Sequence, residues 1–374
     1  MLQRTYRYRL FPSPTQARLF DSTLETCRHF YNDCLAERKM AYQQGGETLG
    51  KYAQLRQVKV VKATNPWAKN VHSHVLQTVV QDLDKAFVAF FRRVKLGEKP
   101  GYPRFKGRNR WRSFGFKEYG NGFKIDGRRL KLSGIGRVAV RWHRPVEGQI
   151  KTARIVKSAG KWFVSFSCVV ETPLPLPSAG GDVGVDVGLL SLVTMSDGEK
   201  VKHPHFYRDA QRSAARKTKG GENRRKAVLV LQRQHDKLKN QRKDYLNKLA
   251  LDLITRYDRI ALEDLTITRM VHGNLAKSIL DAGWGYLVKQ LTYKAESAGR
   301  VVVLVDPRYT SKTCSSCGHI FEDLTLSDRW IDCACGLSLD RDHNAAINIL
   351  HRGGQLRWAL STPVGVLAQE AAGL

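Results

Sequence analysis

Four cysteines near the C-terminal end of the chain limit its possible folds more than any other feature does. Cys314 and Cys317 form a C-x-x-C pair, and Cys333 and Cys335 form a tighter C-x-C pair after a spacer of fifteen residues. Four thiolates on two short turns are the usual ligands of a closed, tetrahedral structural zinc site. Two disulfides are the alternative. Because nothing else in the sequence is typical of a secreted protein, we predict Zn²⁺ at these four positions.

The sequence also carries a large excess of positive charge. Its 63 Lys and Arg residues against 34 Asp and Glu residues give a formal net charge of +29. Because such an excess repels itself in a compact fold, a polyanion is the expected partner, and binding should weaken as salt is added. The sequence has no apolar run of membrane-spanning length, and residues 1–9 do not read as a secretion signal. We therefore expect a cytoplasmic, nucleic-acid-binding protein with no membrane partner.

The first half of the chain combines two patterns. Residues 3–10 alternate as a strand, and three helical stretches follow within residues 13–98. Residues 113–171 then form short alternating segments separated by turns such as G-N-G and D-G, which is typical of an antiparallel, barrel-like β unit. If the first strand belongs to that unit, the helices are an insertion in it.

A basic segment leads from the helices to the β unit. Residues 95–112 are rich in Gly, Pro, Arg and aromatic residues. An exposed linker with no binding role is the alternative to a nucleic-acid contact here. The aromatic side chains, which either stack on bases or pack within the protein, are Tyr102, Phe105 and Trp111. The candidate phosphate contacts are Arg104, Lys106, Arg110 and Arg112.

A Pro- and Gly-rich stretch at residues 173–181 separates this half from a second one. Three strand-like segments come first, followed by a basic helical stretch at residues 211–257, a strand at 259–262, a helix at 281–299 and another strand at 301–305. A last helix is predicted at residues 343–350, after the cysteines. This order is typical of an α/β sheet whose first three strands are antiparallel and whose later strands are parallel. The basic stretch includes Arg224 and Arg225, for which we favour nucleic-acid contact over simple solvent exposure.

Three acidic residues stand where such a sheet would bring them together. Asp186 lies within G-V-D-V-G, Glu263 ends I-A-L-E, and Asp342 begins the last helix. A carboxylate in an apolar strand is costly unless a cation or hydrogen bonds satisfy it, and three converging carboxylates suit Mg²⁺ or Mn²⁺. Two such ions would serve phosphodiester hydrolysis. The alternatives to metal binding are that Asp342 only caps a helix and that Glu263 pairs with an arginine.

These motifs together resemble the TnpB family, the transposon-encoded (OrfB-type) RNA-guided nucleases related to type V CRISPR effectors. G-V-D-V-G, I-A-L-E-D-L and D-R-D-H-N-A-A-I-N-I-L are similar to the three RuvC motifs of the family, and D-P-R-Y-T-S-K-T-C-S-S-C-G is similar to the start of its zinc ribbon. Y-R-L-F-P-S-P-T-Q and G-Y-P-R-F-K resemble its N-terminal half. The C-x-C pair and the plain sequence after Gly353 depart from the family pattern.

The resemblance implies a multidomain fold that combines an α/β nuclease domain with a β-barrel. The nuclease domain would be RNase H-like (RuvC) with an inserted zinc ribbon, and the barrel would be a wedge domain with a helical recognition insertion. The implied boundaries are residues 1–12 and 110–172 for the wedge, 13–98 for the recognition insertion, 99–109 for a basic linker, 180–310 and 337–351 for RuvC, 311–336 for the zinc ribbon, and 352–374 for a C-terminal tail.

The resemblance also implies an activity. A guide RNA from the transposon end would pair with double-stranded target DNA beside a short adjacent motif, and a monomer in the ribonucleoprotein would cut both strands. Asp186, Glu263 and Asp342 would be the catalytic metal ligands, with Asp340 as the alternative for the third. Prokaryotic cytoplasm, near the nucleoid, is the expected location. Polar residues on helices are candidates to read the adjacent motif, namely Tyr52, Gln77 and Gln81.

Two other functions remain open at this stage. A relative that has lost cleavage would act as an RNA-guided DNA-binding regulator, but the presence of all three acidic residues argues against it. An unguided, structure-selective RNase H-like nuclease would use the same acidic residues. The helical insertion, the β unit and the large basic charge are more than that activity requires.

Overall fold

A computed structural model describes residues 1–204, 222–273, 275–325 and 327–361. The chain divides into two compact units, Met1–Thr172 and Pro173–Leu374. The division falls where the Pro- and Gly-rich stretch begins. Among the described helices, none is both long enough and apolar enough to cross a membrane.

An eight-stranded sheet forms the base of the first unit. Strand β1 pairs antiparallel with both β6 and β8, which confirms that the first strand belongs to the β unit. The two edge strands, β2 and β3, are separated by Lys117 alone, so the chain brings the two edges of the sheet together. The order of the strands in the sheet is β2-β7-β8-β1-β6-β5-β4-β3. Listed along the chain, they are β1 (Leu2–Phe11), β2 (Ser113–Phe116), β3 (Glu118–Tyr119), β4 (Gly122–Asp126), β5 (Arg129–Leu132), β6 (Gly136–Arg141), β7 (Gln149–Ser158) and β8 (Lys161–Val170).

Four helices lie between β1 and β2, as the sequence predicts for an insertion. They are α1 (Pro14–Gly45), α2 (Lys51–Thr64), α3 (Pro66–Lys69) and α4 (Ser73–Lys95). Helix α1 begins with a capping box, because Ser13 accepts from the backbone of Gln16 and Gln16 accepts from the backbone of Ser13. The short helix α3 was not predicted. It follows from Pro66, which ends α2 and fits the first turn of a new helix.

The helices pack on the sheet through a mainly apolar core. Phe20 of α1 contacts Phe114 of β2 and Trp162 of β8, with ring centroids 5.7 and 4.8 Å apart. An ion pair joins α4 to β7, because one guanidinium nitrogen (Nη2) of Arg154 donates to both carboxylate oxygens of Asp82 at 2.9 Å. The helical insertion and the sheet therefore form one continuous core in this unit.

The second unit contains a five-stranded sheet with the predicted strand directions. The strands are β9 (Asp182–Asp186), β10 (Ser191–Met195), β11 (Lys200–Lys202), β12 (Arg259–Glu263) and β13 (Val301–Val305). Their order is β11-β10-β9-β12-β13. Strands β9, β10 and β11 are antiparallel neighbours, whereas β12 is parallel to both β9 and β13. The carboxyl ends of β9 and β12 consequently lie at the same edge.

Two predicted helix boundaries are wrong, and the described part of the second unit contains five helices. They are α5 (Glu222–Arg256), α6 (Ile267–Met270), α7 (Ala276–Ala282), α8 (Trp284–Ala298) and α9 (Arg341–Ser361). The helix predicted over residues 281–299 begins at Trp284, because Gly283 adopts a left-handed conformation (φ 72°) that ends α7. The helix predicted to end near Leu350 continues to Ser361, so the plain tail predicted from residue 352 is helical at its start. Residues 211–221 of the predicted basic helix and residues 362–374 lie outside the described residues.

The cysteine region lies between β13 and α9. It contains an isolated bridge between Thr313 and Ile320 and an antiparallel hairpin of β14 (Trp330–Asp332) and β15 (Ser338–Asp340). Strand β15 ends at Asp340, and α9 begins at the next residue, Arg341. The insertion is therefore joined directly to the helix that carries Asp342.

Candidate metal centres and nucleic-acid interface

Two of the predicted acidic residues end neighbouring strands of the five-stranded sheet. Asp186 is the last residue of β9 and Glu263 is the last residue of β12. The strands are parallel with Val185 opposite Leu262, so both acidic residues leave the sheet side by side. Asp342 comes from the first turn of α9, and its charge acts on Asp186. The structure therefore brings the three predicted carboxylates to one edge of the sheet.

Glycines allow α9 to lie close enough to the sheet for this arrangement. A Cβ atom added to Gly184, in β9, would lie only 2.0 Å from the carbonyl oxygen of Ala346. A Cβ atom added to Gly353, two turns further along α9, would lie 2.6 Å from the Cβ atom of Ala261. Side chains at either position would push the helix away. The pair of glycines thus sets the position of Asp342 relative to the strands.

The carboxylates occupy a desolvated and mutually repulsive environment. Burial raises the pKa of Asp186 well above its ordinary value, and the charges of Glu263 and Asp342 raise it further. Burial also raises the pKa of Glu263, against the lowering effects of the Thr310 hydroxyl and of Arg352. Ionising the whole set is costly unless positive charge is added. Oxygen donors with this requirement fit a hard divalent cation such as Mg²⁺ or Mn²⁺.

The two acidic residues of the D-R-D sequence have different surroundings. Asp340 accepts the backbone N–H groups of Asp342 and His343, each at 3.1 Å, and so caps the start of α9. It also pairs with Lys200 at 2.8 Å. Partial burial raises the pKa of Asp340, but Lys200 and the two N–H groups lower it more. Only the backbone of Asp342 contributes to that cap, and the charge of its carboxylate raises the pKa of Asp186.

Sequence analysis missed two residues that act on Glu263. Thr310 is buried and donates its hydroxyl to the Oε1 atom of Glu263 at 2.5 Å. Arg352 donates to the carbonyl oxygens of Asp306 and Arg308 at 2.8 and 2.6 Å, and its charge lowers the pKa of Glu263. The sequence signal for Thr310 is only its place between the last central strand and the first cysteine pair.

The four predicted zinc ligands converge on one point. Their Sγ atoms all lie within 4.8 Å of one another, although the second pair is C-x-C. The Sγ atoms of Cys314 and Cys335 are 3.7 Å apart, and those of Cys317 and Cys333 are 3.6 Å apart. A tetrahedron with Zn–S bonds of about 2.3 Å has sulfur–sulfur edges of roughly 3.8 Å. The cluster therefore has the size that a structural Zn²⁺ requires.

Ionisation of these thiols is also uneven. The backbone N–H of Leu337 lowers the pKa of Cys335 to about 6, and hydrogen bonds from the neighbouring thiols act in the same direction. The backbone N–H of Cys335 lowers the pKa of Cys333, but desolvation and the other thiols raise it to about 12. One cysteine thus favours the thiolate while its neighbour keeps its proton. A bound cation would remove this conflict, because it stabilises every thiolate at once.

The predicted basic linker is attached to α1. The backbone N–H of Lys106 donates to Asn32 at 2.8 Å, and the carbonyl oxygen of Lys106 accepts from Asn32 and Arg28, each at 3.1 Å. This anchoring presents a basic surface on a fixed backbone. The exposed arginines predicted to contact phosphate are Arg104, Arg110 and Arg112.

The aromatic residues of that segment differ in their surroundings. Tyr102 packs edge-on against Phe87 and Phe90, with ring centroids 5.6 and 5.4 Å away. Trp111 packs on Tyr31 at 5.0 Å. Phe105 is 54% exposed. Two of the three aromatic residues therefore pack within the first unit, which leaves Phe105 as the more accessible ring for a base.

The candidates for reading DNA bases lie on two helices. Tyr52 is exposed near the start of α2, with the Nζ atom of Lys51 5.1 Å from its ring centroid. Gln77 and Gln81 lie one turn apart on α4 and are half-buried. Both helices belong to the insertion between β1 and β2. Arg224 and Arg225 fall at the start of α5, and their side chains lie outside the described residues.

Three family models match separate stretches of the chain. A helix-turn-helix domain of OrfB proteins of IS605 elements matches residues 1–47, a "Probable transposase" model of the same group matches residues 165–273, and the TNB domain of Cas12f1-like proteins matches residues 284–349. The last two cover the segments that carry the acidic cluster and the cysteines. The fold and these models define the class, the OrfB-type proteins of IS605-like transposons.

Relatives over the full length identify the family. A "Putative RNA-guided DNA endonuclease" of Streptomyces pristinaespiralis is 35% identical over 94% of this chain and 90% of the relative. The "Putative RNA-guided DNA endonuclease InsQ" of Escherichia coli is 30% identical over 94% and 92%. The chain belongs to the TnpB family, which is related to the type V CRISPR effectors. In fold, it is similar to the mini-RNA-guided endonuclease CRISPR-Cas phi3, with a TM-score of 0.50 and 10% identity over 94% of this chain and 92% of that one.

Proposed function

We propose that this protein is an RNA-guided DNA endonuclease of a transposon. The proposal depends chiefly on one observation: Asp186, Glu263 and Asp342 come from three distant parts of the sequence and meet at one sheet edge. Full-length relatives that carry the name RNA-guided DNA endonuclease supply the class of substrate. The net charge of +29 supports two polyanionic partners, a guide RNA and a double-stranded target DNA.

The three carboxylates would hold Mg²⁺ or Mn²⁺. When bound, the ions would activate a water for attack on the phosphodiester and stabilise the leaving oxygen. Among the described residues, no lysine or arginine forms a direct ion pair with Asp186 or Glu263. The raised pKa of both carboxyl groups is therefore consistent with side chains that a cation would neutralise. Asp340 would position Asp342 by capping α9 while its own charge is satisfied by Lys200.

The remaining parts would bind nucleic acid and maintain the fold. We assign the eight-stranded sheet as a wedge barrel and its helical insertion as a recognition unit, which together would hold the RNA and read the motif next to the target. The second unit would be an RuvC domain with a zinc ribbon between β13 and α9. Cys314, Cys317, Cys333 and Cys335 would bind a structural Zn²⁺, since all four positions are filled by protein ligands. We infer a monomer in the ribonucleoprotein, located with the nucleoid in the prokaryotic cytoplasm.

The proposed activity is tested with a matched pair of substitutions in β9. Asp186→Asn removes one carboxylate from the site without changing side-chain volume. Asp182→Asn makes the same change at the exposed start of the same strand. We expect Asp186→Asn to lower guided DNA cleavage at least about 100-fold, because a metal ligand is lost. RNA and DNA binding should remain, and Asp182→Asn should cleave normally.

Three results would separate the alternatives. Normal cleavage by Asp186→Asn would exclude this site as the nuclease centre. Sequencing of the RNA that co-purifies with the protein tests guidance, because a discrete RNA with a variable 3′ end is expected for a guide. Random RNA would instead favour an unguided nuclease, and absence of cleavage in the unmutated protein with an intact guide would favour a DNA-binding regulator.

A further inference from the structure

A loop whose Thr310 side chain is buried connects the carboxylate centre to the cysteine site. The loop runs from Asp306, after β13, to Ser315, beside the first cysteine. We propose that Thr310 is a positioning residue for Glu263, and that Asn344 and Asn348 of α9 hold Thr310 in place, so that the zinc site and the nuclease centre share one hydrogen-bonded support. This proposal rests on the proposed function, because it assumes that Glu263 binds a catalytic cation.

The hydroxyl of Thr310 has one proton and two acceptors. It lies 2.5 Å from the Oε1 atom of Glu263 and 3.1 Å from the carbonyl oxygen of Pro307. The carboxylate is nearer and charged, so it takes the proton. That hydrogen bond fixes one of the two carboxylate oxygens of Glu263.

Two asparagines on one face of α9 hold the loop. Both protons of the Asn348 amide are used, since Nδ2 donates to the carbonyl oxygens of Thr310 and Thr313 at 2.8 and 2.6 Å. Asn344, one turn earlier, donates to Thr313 at 2.7 Å and accepts the backbone N–H of Ser315 at 2.8 Å. Both asparagines are buried, since Asn344 is 0% exposed and Asn348 is 7% exposed. Each bond is protected from competing water.

The loop would not keep this conformation without such support. Tyr309, directly before Thr310, has a φ of 62°, a left-handed conformation that is unfavourable for an aromatic residue. Its carbonyl oxygen accepts from the Thr313 hydroxyl at 2.7 Å and from the backbone N–H of Lys312 at 3.1 Å. The strained turn aims Thr310 inward while Tyr309 remains exposed.

One helix consequently sets two of the three carboxylates. Asp342 lies in the first turn of α9, and Asn344 and Asn348 of the same helix support the loop whose threonine contacts Glu263. Asn344 also accepts the backbone N–H of Ser315, next to the zinc ligand Cys314. Loss of order at the cysteine site should therefore reach Glu263 through the loop.

A simpler role for Thr310 is packing in a buried turn. Two substitutions separate the roles. Thr310→Val keeps the shape and removes the hydroxyl, whereas Thr310→Ser keeps the hydroxyl and removes a methyl group. If packing were the only role, both variants would lose stability and neither would alter metal binding selectively.

The test measures Mn²⁺ binding to the full-length, zinc-loaded protein by electron paramagnetic resonance, together with the Mg²⁺ concentration that gives half-maximal cleavage. We expect Thr310→Val to weaken Mn²⁺ binding by about 10-fold and to raise the Mg²⁺ requirement similarly, since lost outer contacts to metal ligands have effects of this size. Excess Mg²⁺ should restore most of the cleavage rate. Thr310→Ser should behave like the unmutated protein, and zinc content should stay unchanged in both.

A second variant protects the test against misfolding. Asn348→Ala leaves the Thr310 hydroxyl in place but removes its anchor, and several-fold weaker Mn²⁺ binding is expected. The proposal is overturned if either Thr310→Val or Asn348→Ala folds and binds Mn²⁺ as tightly as the unmutated protein. If Asp186→Asn cleaves normally, the proposed function itself fails, and that result is independent of Thr310.

Discussion

Replacing Gly184 with alanine should damage the proposed nuclease centre without touching a carboxylate. The new Cβ atom would lie 2.0 Å from the carbonyl oxygen of Ala346, 2.6 Å from the backbone nitrogen of Leu350 and 2.9 Å from its Cβ atom. Ordinary contact begins at 3.4 Å, so the helix must move away from β9 by about 1 Å or more. The obstructing atoms belong mainly to the backbone of α9, so no side-chain rotation relieves the contact.

The cost follows from that displacement. Overpacking of this kind destabilises a protein by about 1–3 kcal/mol. Asp342 moves with α9 while Asp186 stays on β9, and cation–oxygen distances tolerate only a few tenths of an ångström. Because a 1 Å misplacement can lower an enzymatic rate by about 100-fold, we expect Gly184→Ala to lose cleavage far beyond its loss of stability.

The assay compares urea denaturation and guided cleavage in Gly184→Ala and Gly354→Ala. A Cβ atom at Gly354, also in α9, meets nothing within 4 Å. That control should be as stable as the unmutated protein or more stable by about 0.5–1 kcal/mol, because alanine favours a helix. A Gly184→Ala protein with normal stability and normal cleavage would show that α9 is not held against β9 as the structure has it.

Two further predictions concern pH and zinc. Hydrogen bonds from the Ser178 hydroxyl and from the backbones of Ala179 and Gly180 lower the pKa of Asp258 to about 2. Since the unfolded pKa of Asp is about 3.9, the stabilising effect is fully present above about pH 4 and is lost as the pH falls towards 2. Urea melts of Asp258→Asn and the unmutated protein should therefore differ at pH 6 and converge as the pH falls towards 2, and a constant difference would contradict the assignment. Cys335→Ser should reduce bound zinc from about one ion per chain to nearly none by atomic absorption, and retention of zinc would show that three cysteines suffice.

Periodicity and chain breakers were sufficient to predict most of the elements. The pattern in residues 51–64 and the proline after them defined α2 to the residue, and alternation identified β8 and the three antiparallel strands of the second unit. The strand order then predicted that Asp186 and Glu263 would lie together, because parallel neighbours end at the same edge. These inferences depend on local patterns and on general rules of chain topology.

What sequence analysis missed depends on contacts between distant residues. The last helix was predicted to end near Leu350, yet it continues to Ser361, and Gly353 within it allows close approach to Ala261. Thr310 contacts a carboxylate 47 residues away, and Asn348 reaches the same loop across 38 residues. No local sequence pattern predicts which distant residue a threonine or an asparagine will contact, so only the folded structure identifies these partners.

The D-R-D sequence shows how the cysteine insertion and the helix depend on each other. In the hairpin, Asp340 of β15 pairs with Trp330 of β14. The second cysteine pair lies in the turn of this hairpin, so the pairing register of the hairpin fixes the position of Asp340. Asp340 then caps the helix, and Asp342 follows in the first turn. A shift of one residue in that start would rotate Asp342 about 100° around the helix axis, away from Asp186. A structural zinc site directly before the helix would therefore help to place a catalytic carboxylate, although zinc itself takes no part in cleavage.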